Sequence, residues 1–105
     1  MRVLFDQGTP APLRDSLVGH TIETAYELGW SDFKNGALLD AAERQGYEVL
    51  ITTYQSLRCQ QNLSTRSIAI LVLLSTDWRQ IQKQIPAVQQ AVNSASVGSY
   101  IEVPI

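Results

Sequence analysis

Cysteine and histidine are almost missing from this 105-residue chain, which has one of each, Cys59 and His20. A lone thiol cannot close an intramolecular disulfide, and one Cys with one His cannot supply the four-ligand set of a structural zinc site, so zinc chemistry is not expected. Long apolar runs are missing as well. The longest, Ile68 to Leu74, falls far short of the roughly 20 residues that span a bilayer. Charge is sparse, at 17% of residues, and its net value of −2 excludes a broadly electropositive nucleic-acid binder while leaving room for a local contact. The N-terminus lacks the charged-then-apolar pattern of a secretory signal, and the chain reads as cytoplasmic. Neither GxxxxGK[ST] nor GxGxxG occurs, and Gly8 alone cannot stand in for either, so nucleotide-cofactor folds lose ground.

What is present is a globular balance. Apolar residues make up 45%, enough for one hydrophobic core over residues 1–105 and too little chain for two. Arg2 to Phe5 reads as a strand buried on both faces, ended by Gly8 and Pro10. A short helix follows from Pro12 to Leu17 or Val18, then a less buried strand over Thr21 to Ala25. Asn35 reads as the N-cap of a helix in which Ala37, Leu38, Ala41, Ala42 and Gln45 recur at helical spacing until Gly46 stops it. Tyr47 to Thr53 and Ser67 to Leu74 are the next strands, joined by a polar segment, Tyr54 to Leu63, that reads as a surface connection with room for a short helix. Trp78, Ile81, Ile85, Val88 and Val92 form an amphipathic stripe that Pro86 kinks or breaks in two. Ser99 to Val103 is the last strand. This alternation predicts a three-layer α/β/α sandwich with a mostly parallel sheet, right-handed crossovers, and the strands ending at Asp6, Thr53 and Leu74 sharing one edge.

Asp6 stands where the first apolar strand runs out, the address at which open parallel sheets present ligand-binding side chains. It is the candidate catalytic and metal-ligating residue. The competing reading is a turn former accepting backbone hydrogen bonds from Gly8 or Thr9. Asp77, after the fourth strand, is a second candidate metal ligand or the cap of the helix that follows. Tyr54 stands where a metal nuclease would need another carboxylate. It can stack on a base or simply fill space. Gln55 suits amide, phosphate or base contacts, and Arg58 and Arg66 either bind phosphate or pair with acids. Cys59 reads as a small apolar filler, His20 as a surface or hydrogen-bonded residue, and Trp30 and Trp78 as partly buried anchors.

The stretches LFDQGTPAPLR, GHTIETAYELGW, NGALLDAAERQGYEVLITT and QSLRCQQNL followed by RSIAILVLL cover nearly the whole chain. Together they resemble the short bacterial PIN-like proteins, relatives of the PIN-domain ribonucleases of toxin–antitoxin modules. That resemblance implies a PIN-like fold and acidic residues holding magnesium or manganese, which activates water against a phosphodiester. It also implies RNA as substrate, for which Asn35, Tyr54, Gln55 and Arg58 are the candidate binding residues. An antitoxin-like protein and a second copy of the chain are further candidate partners. Asp6 matches the family's first acidic ligand. The typical Thr-Thr-Asp-Gln-x-Leu is here Thr52-Thr53-Tyr54-Gln55-Ser56-Leu57, and the usual Asn-Gly-Glu-Leu-Leu is Asn35-Gly36-Ala37-Leu38-Leu39. The acidic site is thus incomplete. Two functions follow as expectations: an RNA-directed nuclease-family protein of weak or absent activity, or a non-catalytic module that binds a protein or nucleic acid through the same fold.

Overall fold

Val3, Leu4 and Phe5 are all fully buried, which happens on a four-residue strand only when both faces of its sheet are covered. The computed structural model describes residues 1–105 except the side chain of Gln60. It has five strands: β1 (Arg2–Phe5), β2 (Thr21–Thr24), β3 (Val49–Thr52), β4 (Ala69–Leu73) and β5 (Tyr100–Val103). They form one sheet in the order β2-β1-β3-β4-β5, every pair parallel. The expected α/β layering is therefore present, and β1, β3 and β4 end on one edge.

Alternate residues feed two separate cores. On the first face Val3, Phe5, Ile51 and Leu71 meet Leu13 of a 3-10 helix, Ala11–Ser16, the Leu17 that follows it, and Ile81, Val88 and Val92 of α3 (Trp78–Gln82) and α4 (Ile85–Ser94). On the second, Leu4, Leu50, Ile70 and Val72 meet Leu38, Leu39 and Ala42 of α1 (Asn35–Arg44) and Leu57 of α2 (Leu57–Gln60). The stripe on 78–92 splits as its proline requires, with Pro86 in the first turn of α4, where a missing N–H costs nothing. Ile81 and Val88 are fully buried. Ile85 only flanks the core, because it opens α4 at the break and lies at the margin of the stripe.

Three local expectations shift. The helix after β1 is 3-10 rather than α, with Pro10 at its cap and Pro12 in its first turn. Lys34, not Asn35, occupies the cap position of α1: its backbone is extended and its carbonyl accepts the Leu38 N–H at 2.8 Å, leaving Asn35 as the first helical residue. Cys59 is exposed, since Leu57 takes the inward position of the one-turn α2.

The crossovers also depart from expectation. The connection β1→β2 steps one way over the first face, while β2→β3 and β3→β4 step the other way over the second face, which gives these three the same hand. The β4→β5 connection through α3 and α4 steps like the latter two but lies on the first face, so its hand is opposite and the four cannot all be right-handed. The short 3-10 helix covers too little of the first face, and α3 and α4 bury the apolar residues of β3 and β4 that would otherwise meet water.

One ionic clamp ties α1 to the segment before β4. Arg66 bridges Asp40 at 2.5 Å and Glu43 at 2.6 Å, and the Ser67 N–H and hydroxyl both donate to Glu43 at 2.8 Å. Burial alone would raise the Glu43 carboxyl, but the bonds from Arg66 and Ser67 outweigh it and hold it below its ordinary value of 4.5. A lowered carboxyl stabilises the fold above its unfolded value, and that contribution is lost as pH falls through the folded value. Melting temperature followed downward from pH 6 should therefore drop more steeply below pH 4.5 in the wild type than in Glu43→Gln. Parallel curves would show that the clamp contributes nothing.

Candidate functional site

In a sheet of this order, clefts open where the connections of adjacent strands leave for opposite faces. Here that occurs at β2/β1, β1/β3 and β3/β4, because the segments after β1 and β4 turn to the first face and those after β2 and β3 to the second. The residues just beyond these strand ends are Asp6 after β1, Ala25 and Tyr26 after β2, Thr53 and Tyr54 after β3, and Leu74 to Asp77 after β4.

The Asp6 N–H continues the ladder, donating to the Ile51 carbonyl at 3.1 Å, so its side chain emerges level with the end of β3. The carboxylate is held by two buried hydroxyls. Thr52 donates to Oδ2 at 2.5 Å, and Thr9 lies 2.7 Å from Oδ1 and 2.8 Å from the Ile51 carbonyl, its one proton serving either acceptor. Thr52 in turn accepts the Tyr54 N–H at 3.0 Å. The tight turn after β1 is made by the Asp6 backbone, whose carbonyl accepts the Thr9 N–H at 3.2 Å. Its side chain remains as a rigid, half-buried acceptor. Gly8 packs closely on the residue after β3: a Cβ there would lie 2.6 Å from Thr53 Oγ1, so any other residue requires the Thr53 side chain to turn away.

The other sequence-nominated residues scatter. Tyr54 is half-buried against the second core. Asn35 is half-buried at the start of α1, and Gln55 is exposed. Arg58 extends to β5, its guanidinium 5.2 Å over the Tyr100 ring, while Arg66 is taken by Asp40 and Glu43. Asp77 is the cap of α3, accepting the Arg79 N–H at 2.9 Å. His20 lies between the N-terminal amine at 3.2 Å and Asn93 Oδ1 at 2.7 Å.

The donor chemistry at the strand ends does not fit a resident magnesium or manganese ion. Such an ion needs several hard oxygens. Asp6 offers one carboxylate that accepts the Thr52 hydroxyl and shares the Thr9 proton with the Ile51 carbonyl, Tyr54 offers a phenol, Ala37 offers nothing, and Asp77 is engaged in a helix cap. Among the described residues no three His, Cys, Asp or Glu side chains converge.

A cleft of about 620 Å³ lies on the other side of Asp6, over β2/β1. Between Asp6 and Tyr26 its wall carries Gln7, Arg14, Asp15 and Glu27. Sequence reasoning passed over these residues. Tyr26 is the second residue beyond β2, one past the position in register with Asp6, so looking at the loop after β2 as well as after β1 would have found it.

Comparison of the chain with protein-family models, with curated proteins and with solved structures finds no match.

Proposed function

We propose that this chain is a PIN-like domain directed to single-stranded RNA, in which metal-dependent cleavage is weak or absent. The observation that carries the reading is the address of Asp6. A rigid carboxylate stands at the end of β1, bonded across to Thr52 of β3, at the strand-end edge where the resembled nucleases gather their acidic ligands, while Tyr54 and Ala37 occupy positions that are acidic there. Beyond the end of β3 stand the half-buried Tyr54 ring and the exposed Gln55 amide rather than clustered carboxylates. That set suits unstacked bases, which stack on aromatic rings and offer their edges to amides. With a net charge of −2 and Arg66 neutralised, few phosphates are contacted, and binding depends only shallowly on salt.

The test is fluorescence anisotropy with a labelled single-stranded RNA at two salt concentrations. Wild type should bind, with Tyr54→Ala weaker by about fivefold or more, since stacking on one ring contributes roughly 1–3 kcal/mol. Tyr54→Ala binding RNA as tightly as wild type would remove the strand ends from the RNA path.

A further inference from the structure

We propose that the cleft over β2 and β1 is a pocket for an unpaired guanine base, which stacks on Tyr26 and gives its N1–H and N2–H to the carboxylate of Asp15. The proposal rests on the RNA reading above and specifies the base it selects. Three observations carry it. The cleft's volume of about 620 Å³ falls in the range of small-molecule sites, roughly 300–1,000 Å³, and exceeds what one nucleoside needs. Tyr26 is 77% exposed on its wall, an aromatic ring with an uncovered face at a strand end, where a burial role would have hidden it.

The third observation is the state of the acids. Glu27 is spent on Arg14, which donates to it through both terminal nitrogens, and on the Thr24 N–H at 3.0 Å. Asp6 carries the Thr9 and Thr52 hydroxyls. Asp15 is exposed and has no hydrogen-bond or ion-pair partner among the described residues. The cleft therefore presents one carboxylate without a partner, with two oxygens side by side, and on the same lining an exposed aromatic ring. Guanine is the base whose Watson–Crick edge offers two adjacent donors to such a pair, whereas adenine places an acceptor beside its amino group and inosine lacks the amino group. Phosphate is disfavoured by Asp6 and Asp15, so the base and not the backbone enters.

Ligand-observed NMR with guanosine, inosine and adenosine tests this without RNA. Guanosine should bind about tenfold more tightly than inosine, and adenosine more weakly still. Asp15→Asn, at an exposed position with no partner to lose, should keep the wild-type melting temperature and bring guanosine down to the inosine level. Tyr26→Ala should weaken all three by about fivefold or more. Equal binding of the three nucleosides, no binding of any, or an unchanged guanosine affinity in Asp15→Asn would overturn the pocket. A parallel titration with guanine-bearing and all-adenine single-stranded RNA separates the two levels. RNA bound without guanine preference sinks the pocket and leaves the RNA reading standing. Guanosine bound by a protein that ignores RNA of either sequence supports the pocket and sinks the RNA reading.

Discussion

Ile81→Ala should lower unfolding free energy by about 2–5 kcal/mol, the range for emptying a fully buried isoleucine position. Ile81 is fully buried between α3 and the first face of the sheet, and α3 has a single turn of helix with which to hold its place. Ile85→Ala should cost clearly less, because its side chain already reaches solvent at the start of α4. Chemical denaturation of both variants checks the pair. Similar losses would mean that Ile85 is as much a part of the core as Ile81. A loss below half a kilocalorie at Ile81 would mean that α3 does not hold the sheet as the packing implies.

Tyr54→Asp should create divalent-ion binding that the wild type lacks or shows only weakly, and Tyr54→Asp combined with Ala37→Glu should strengthen it further. Neighbouring strand ends lie about 4.8 Å apart, and Thr52, two residues before Tyr54, already touches Asp6. A carboxylate at 54 therefore adds a hard oxygen beside the Asp6 site, and magnesium and manganese are held by such oxygens in number. Moving Tyr54 off the second core exposes some apolar surface, so a modest drop in melting temperature accompanies the gain. Calorimetric titration with manganese reads the effect. Wild type and Tyr54→Asp binding the ion equally would show that position 54 does not face the Asp6 carboxylate.

Much of the fold was legible because its signals are local and strong. The apolar runs of β1, β3 and β4 announce strands covered on both faces, Pro86 announces the break between α3 and α4, and Gly46 follows the end of α1 as expected, with a left-handed backbone. What was not legible depends on distant parts of the chain. The hand of the β4→β5 crossover is set by how little of the first face the 3-10 helix covers, which no window of sequence reveals. The N-cap is Lys34 rather than Asn35, one residue earlier than the capping preference of Asn suggests, and no side-chain cap bond forms there. The site was half legible. Asp6 stands out as a carboxylate after an apolar run, but that both its oxygens would be bonded by Thr9 and Thr52 could not be read from positions 3 and 46 residues away. Tyr26 went unread because β2 is polar and its end carries no contrast of apolar run against charge, and Asp15 because it reads as one more exposed charge on the short helix before β2.

The most direct measurement is incubation of labelled single-stranded RNA with excess wild-type protein and manganese, followed on a denaturing gel. The expected result is RNA that is bound but stays intact, or is cut only slowly, with Asp6→Asn changing the slow rate little. Efficient manganese-dependent cleavage abolished by Asp6→Asn would contradict a reduced acidic site, and would require another carboxylate, Asp77 first, to leave its helix cap and complete the metal centre.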